Sequence, residues 1–175
     1  MKIRQATVAD AEGIAQVHVN SWKSTYKRIV SEDYLDALTV ESRLEGWKWR
    51  LENPSADIEI LVLEDPVGRI VGFMNFGPER EQKRNSEGEL YAVYLLQEAQ
   101  GKGWGRQLFI QMLEVMKSMG YTSLLVWVLE GNPAIHFYKA LGGKRVRQKE
   151  IEIAGELHQE LALKWDSLNL KDIIS

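Results

Sequence analysis

Between Gly88 and Met116 the chain reads as an apolar strand, a glycine-studded turn and an amphipathic helix, and this succession constrains the fold more than any other segment. Leu90 to Leu96 is an apolar run of strand length. After Gly105, Leu108, Phe109, Met112, Leu113 and Met116 recur at helical spacing. Gln100-Gly101-Lys102-Gly103-Trp104-Gly105 joins the two, with glycine at alternate positions. Such glycines leave backbone N–H groups unshielded by any Cβ where a helix starts, and there the orphan donors and the positive dipole end favour an anion. A tight turn alone repays little of the conformational entropy that three glycines cost, so the segment reads as a pyrophosphate cradle.

The spacing of the glycines sorts the candidate ligands. A dinucleotide fingerprint needs Gly-x-Gly-x-x-Gly, but Arg106 stands three residues past Gly103 and Leu108 three past Gly105. A Walker loop needs Gly-Lys-Ser/Thr, and here Lys102 is followed by Gly103. Downstream, Thr122 to Leu129 is a second apolar run without alternation, suited to a strand buried on both faces near the centre of a sheet.

Two stretches resemble the cofactor motifs of the GCN5-related N-acetyltransferase (GNAT) family. The acetyl-CoA loop pattern Gln/Arg-x-x-Gly-x-Gly/Ala is met by Gln100, Gly103 and Gly105. The second pattern, Asn-x-x-Ala-x-x-Phe-Tyr-x-x-x-Gly, is met at Asn132, Phe137, Tyr138 and Gly142, with Ile135 in the slot where the family often has alanine. The resemblance implies an α/β (α+β) fold: a mixed, mostly antiparallel twisted sheet with splayed central parallel strands, flanked by helices on both faces. It implies acetyl-CoA as cofactor, and the length of 175 residues makes a single domain over residues 1–175 the expectation. By the same resemblance the backbone of Val93 and Leu95 bonds the pantetheine arm, and the N–H groups of Gly101, Lys102, Gly103, Trp104, Gly105 and Arg106, following Gln100, hold the pyrophosphate. Asn132 bonds the cofactor further along, and Lys139 or Lys144 approaches its 3′-phosphate.

The chemistry expected is direct attack of an amine on the acetyl carbonyl in a ternary complex, since the chain has no cysteine to carry an acyl intermediate. Such a reaction calls for a base, an oxyanion donor and an acid for the departing thiolate. Tyr138 matches the family's tyrosine and is the expected acid. A backbone N–H at Val93 or Tyr94 is the expected oxyanion donor. Glu89, at the start of the splayed strand, is the expected base, directly or through water, with Tyr94 or Glu130 as alternates. Plainer readings stand beside these: Asn132 before Pro133 is an ideal N-cap, Tyr138 suits a core, and Glu89 suits a solvated strand end.

Composition narrows the partners only broadly. With 22 basic and 25 acidic residues, the chain has no global attraction for nucleic acid or an anionic membrane. Its slight acidity favours a small cationic amine as acceptor, among choices that include polyamines, amino acids, antibiotic amines and protein amines. A start without an apolar signal stretch makes the cytoplasm the expected compartment. The three histidines, His18, His136 and His158, lack ligand spacing, so no metal is expected. A non-catalytic acyl-CoA-binding module, and a nucleotide-dependent or plain interaction domain, are the alternative classes.

Along the chain, Lys2 to Ala6 reads as a strand, and Thr7 to Asp10 caps a helix bearing Ala11, Ile14, Ala15, His18 and Trp22 on one face. Ser31 to Leu38 and Val40 to Leu51 read as helices, and Glu59 to Glu64 and Ile70 to Phe76 as a hairpin turned at Asp65-Pro66-Val67-Gly68. A closing hairpin, Lys144 to Ile153 and Leu157 to Trp165, turns at Ala154-Gly155, before an uncertain tail from Asp166. Trp22 and Tyr26 are expected to pack together or to line the acceptor pocket. Of Trp47 and Trp49, which cannot share a helix face, one is expected in the core and the other exposed, where a homodimer partner would meet it.

Overall fold

The computed structural model describes residues 1–81 and 86–169; the centre of the charged loop Glu79 to Glu87 and the last six positions of the tail lie outside the described residues. Seven strands, β1 (Lys2–Gln5), β2 (Glu59–Glu64), β3 (Ile70–Pro78), β4 (Glu87–Leu95), β5 (Ser123–Leu129), β6 (Lys144–Ile153) and β7 (Glu156–Trp165), form one sheet in the order β1-β2-β3-β4-β5-β7-β6. All neighbours are antiparallel except the central pair β4 and β5. Five α-helices, α1 (Ala11–Thr25), α2 (Glu32–Ala37), α3 (Val40–Glu52), α4 (Trp104–Ser118) and α5 (Ala134–Ala140), and two single-turn 3-10 helices, Val8–Asp10 and Gln97–Ala99, complete the described chain.

Local chemistry sets the boundaries. The Asp10 carboxylate accepts the Thr7 backbone N–H at 2.7 Å and is gripped by both Arg4 terminal nitrogens, which fixes the turn that launches α1. Thr39 caps α3 by accepting from the Ser42 N–H. At the β6–β7 turn both Ala154 (φ 53°) and Gly155 (φ 82°) take left-handed conformations, the twist that a two-residue hairpin loop requires.

Each face of the sheet has its own core. Under α4 and α5 lie Phe76, Leu90, Phe109, Met112, Met116 and Leu124, all at most 1% exposed. Beneath α1 and α3 on the other face lie Ile14, Val17, Val62, Phe73 and Trp47. A third cluster of Val19, Tyr26, Val30, Leu35 and Leu129 seats the α1–α2 connection on the far half of that second face. Each such side chain contributes roughly 1.5–3 kcal/mol on burial, so the two faces hold α1 and α4 firmly against opposite sides of β4. Trp47 is the core tryptophan and Trp49, 64% exposed, the outer one, as the helix geometry requires. Among the described residues no helix is long and apolar enough to cross a membrane.

The feature that positions the site is a defect in β4. Asn75 pairs with Ala92 and Phe76 with Leu90, so Tyr91 is an extra residue bulged out of the β3–β4 register. Just before it the parallel pairing ends: Glu87 to Leu90 match Ser123 to Val126, and nothing beyond Leu90 pairs with β5. A bulge bends its strand. Ala92 to Leu95 therefore stay with β3 while β5 continues along β7, and the sheet opens into a V between them.

Candidate active site

A cavity of about 710 Å³ fills the mouth of the V. Its walls are Val93, Tyr94 and Leu95 of β4, the loop from Gln100 into α4, and Asn132 to Tyr138 around α5. Ser21 and Thr25 of α1 close it on the opposite face of the sheet.

The loop has the form an anion cradle needs. Gly101 (φ 67°) and Gly103 (φ 83°) sit in the left-handed region, which side chains with a Cβ adopt at a cost. Gly105 is not in that region, and a Cβ there would make only ordinary contacts, 3.4 Å from Leu95 and 3.5 Å from Phe137. The Gln107 N–H is bonded back to the Gly103 carbonyl at 3.1 Å, so the N–H groups ahead of it are the first-turn donors of a 15-residue helix. Gly101, Gly103, Gly105 and Arg106 border the cavity, whereas Lys102 is exposed and Trp104 packs on the α4 core. Gln100 ties the loop to β4 by donating to the Leu95 carbonyl at 2.8 Å, and Ser21 reaches the same oxygen at 3.5 Å. The Leu95 carbonyl is thus already engaged.

On the other wall Asn132 is buried, accepts the Ala134 N–H at 2.9 Å and donates to the Tyr26 hydroxyl at 3.1 Å. Its helix-start reading is therefore realised in the geometry. Tyr138 borders the cavity from α5, with its ring against Phe137 and Trp165. Burial pushes its hydroxyl well above the ordinary phenol range, and the neighbouring Tyr26 adds to the shift, so it is an O–H donor at neutral pH. Lys139 and Lys144 are both exposed.

Trp22 and Tyr26 pack against each other, ring centroids 4.5 Å apart, and stand one layer behind Tyr94 rather than in the cavity wall. Trp22 donates its indole N–H to the Tyr94 hydroxyl at 3.0 Å. His18 stacks on Tyr94 at 5.5 Å, and its Nδ1 accepts the Trp47 indole N–H at 3.0 Å. Burial, helped by Arg43 and Arg50, lowers its pKa to about 4, so the ring is neutral with its proton on Nε2. No group of metal ligands occurs among the described residues.

Glu89 stands apart from the residues that border the cavity. It is 1% exposed and takes three bonds from Arg80: the backbone N–H at 3.0 Å, Nε at 3.1 Å and a terminal nitrogen at 2.5 Å. Arg80 in turn lies over the bulged Tyr91 ring. The solvated strand-end reading of Glu89 is corrected by this burial: the residue lies where β4 still pairs with both β3 and β5, opposite Gly77 and Leu125, and Arg80 just past β3 supplies its partner. A wider charge network shares this face, with Glu87 on Lys164 at 2.7 Å and Lys149 3.6 Å from Glu160. Glu130, an alternate base, is exposed. Sequence reasoning missed Ser21, Thr25 and Arg80. Small polar residues on α1 carry no motif, and the Arg80–Glu89 pairing depends on where the loop folds back.

A splayed parallel pair, a glycine-built helix start on one side of the gap and a tyrosine-bearing helix on the other define an acyltransferase built to hold a long thioester cofactor across a sheet. The chain belongs to the acetyltransferase (GNAT) family, whose model matches residues 20–142. It is 39% identical to the N-acetyltransferase YuaI of Bacillus subtilis strain 168, over 99% of this chain and 98% of the relative. It is 26% identical to an L-methionine sulfoximine/L-methionine sulfone acetyltransferase of Pseudomonas aeruginosa, over 90% of this chain and 83% of the relative. The N-acetyltransferase PaiA of Thermoplasma acidophilum, solved in complex with coenzyme A, shares the fold with a TM-score of 0.67 at 23% identity, over 94% of this chain and 98% of that one.

Proposed function

We propose that the protein transfers the acetyl group of acetyl-CoA to a primary amine of a small molecule by direct attack in a ternary complex. The observation that carries this reading is the V between β4 and β5, with the α4 N-terminus at one end and Tyr138 at its side. Pyrophosphate at the start of α4 leaves the pantetheine arm to run down the gap, where β4 backbone groups have no β5 partner. That path brings the thioester towards Val93, Tyr94 and Tyr138. A backbone N–H at the bulge steadies the oxyanion, and Tyr138 donates a hydrogen bond to the sulfur as it leaves. A phenol raised so far by burial stabilises the developing thiolate chiefly as a donor, with the proton itself completing its transfer late.

Among the described residues bordering the cavity none is a carboxylate or an imidazole, so the amine proton leaves through water. Glu89 is proposed as the terminal acceptor of that chain, behind the bulge. The Pseudomonas relative, named for two amino-acid analogues, supports a small-molecule acceptor.

The test is thermal unfolding with acetyl-CoA, CoA, NAD and ATP in parallel, followed by thiol release with a panel of amines. Stabilisation by the CoA species alone, with amine-dependent thiol release, is expected. A CoA shift with no thiol release from any amine would assign the protein to non-catalytic acyl-CoA binding.

A further inference from the structure

A second cavity, of about 540 Å³, lies away from the V, on the α3 side of the sheet. It runs from the end of α3 across β2 and β3 and stops at the bulged Tyr91. No residue lines both cavities. The volume is that of a small-molecule site, roughly 300–1,000 Å³.

Three features of its lining are unused by the fold. Trp49 is 64% and Ile58 40% exposed, and both large apolar side chains border this one cavity. Asn75, also in the wall, sits in β3 between the wholly buried Met74 and Phe76, and its Oδ1 is sealed without a hydrogen-bond partner. An unmet polar group of this kind costs about 1–3 kcal/mol. Rotation about the last bond of an asparagine side chain is soft, so either end of the amide turns to the cavity. The third feature is charge. Arg50 rests on the Trp47 ring, 5.0 Å from its centroid, and has no carboxylate partner among the described residues. Arg80 spends Nε and one terminal nitrogen on Glu89, and its side chain, 61% exposed, keeps the other terminal nitrogen unbonded among the described residues. Against these two guanidinium groups stands one carboxylate, Glu59, which already accepts from the Gln5 amide at 2.8 Å.

The charges select among occupants. A second copy of the chain, meeting this face across a two-fold axis, would bring a second pair of guanidinium groups to the same patch and no spare carboxylate. A wholly apolar molecule would leave Asn75 and both cations unmet. An anion on an apolar body uses all three features, and a guanidinium edge is shaped for a carboxylate.

We propose that this cavity binds a small organic acid, a carboxylate carried on an apolar or aromatic body. The carboxylate meets Arg50 and the unbonded edge of Arg80, the Asn75 amide donates to it, and the body lies on Trp49 and Ile58. The proposal stands apart from the acetyl-transfer reading, because the cavity shares no wall with the V.

The experiment is calorimetric titration of the full chain with phenylacetate, 3-phenylpropionate and indole-3-acetate and with their neutral amides, each without and with saturating acetyl-CoA. At least one acid should bind with a Kd below about 1 mM, about tenfold or more tighter than its amide, and acetyl-CoA should leave that affinity unchanged. Arg50→Ala and Trp49→Ala, both on the exposed side of α3, should each weaken the acid about tenfold or more while the melting temperature and stabilisation by acetyl-CoA hold. No binding of any acid, equal affinity for acid and amide, an affinity that neither substitution moves, or displacement of the acid by acetyl-CoA would overturn the proposal. So would sedimentation showing a native dimer that Trp49→Ala disperses, which would make the face an interface between copies. Failure of acetyl-CoA to stabilise the native protein would remove the transfer reading and leave this one standing.

Discussion

The Asn132 amide nitrogen lies 3.1 Å from the Tyr26 hydroxyl, a bond between positions 106 apart in the chain. It joins the start of α5 to the end of α1 across the sheet. Asn132→Ala removes this bond and the one to the Ala134 N–H together. The expected loss is about 1–3 kcal/mol of unfolding free energy, measured by urea titration. Asn132→Asp, which keeps the helix-start acceptor, should recover part of it.

Gly103→Val forces a β-branched residue into φ 83°, at a local cost of about 1–2 kcal/mol. Its Cβ would meet nothing within 4 Å in the protein, so strain and obstruction of the pyrophosphate are its only effects. Calorimetry should show acetyl-CoA affinity reduced at least about tenfold, beyond what the stability loss predicts. Unchanged affinity would end the cradle assignment.

Tyr138→Phe keeps the ring against Phe137 and Trp165 and deletes only the proposed donor to the sulfur. Turnover should fall about a hundredfold, with acetyl-CoA binding retained. Steady-state kinetics alongside calorimetry separates the two.

His18 gives the fold a pH dependence. Its pKa falls from 6.5 to about 4 on burial, so between these values the unfolded chain binds more protons than the native one. The stability conferred by the neutral buried ring is present above pH 6.5 and is lost as pH falls towards 4, at up to about 1.4 kcal/mol per pH unit. Urea unfolding at pH 7 and pH 5 should show the difference, and His18→Gln should flatten it.

Glu89→Gln separates proton transfer from structure. As terminal proton acceptor it should lower kcat about a hundredfold with acetyl-CoA affinity retained. Arg80→Ala, which strips the two guanidinium bonds from the same carboxylate and keeps the backbone N–H, should cost about 1–3 kcal/mol in stability. Wild-type kcat in Glu89→Gln, with only a lowered melting temperature, would leave the residue as half of an ion pair.

Strands and helices with strong periodicity were legible in the sequence: the β6–β7 hairpin turns at Ala154-Gly155 and the β2–β3 hairpin at Asp65 to Gly68, as their turn chemistry required. The glycine turn into α4 was legible for the same reason, since left-handed backbone and a helix start are local properties that glycine spacing reports. Glu89 was legible only as a charge at a strand end. Its burial and its Arg80 partner depend on which strands flank β4 and on where the chain folds back after β3, neither of which β-strand periodicity encodes.

By itself, then, the sequence determined the local conformations: which segments are strands and helices, where the chain turns, and where a helix N-terminus stands bare for an anion. Backbone sterics and side-chain periodicity act over a few residues and leave their mark there. Tertiary structure alone decided that the β4–β5 pairing stops at Leu90, that Trp22 and Tyr26 stand behind Tyr94, and that Asn132 meets Tyr26. Those contacts join residues far apart in the chain. Their donors and acceptors are settled only when the opposite faces of the sheet have packed and excluded the water that would otherwise have satisfied them.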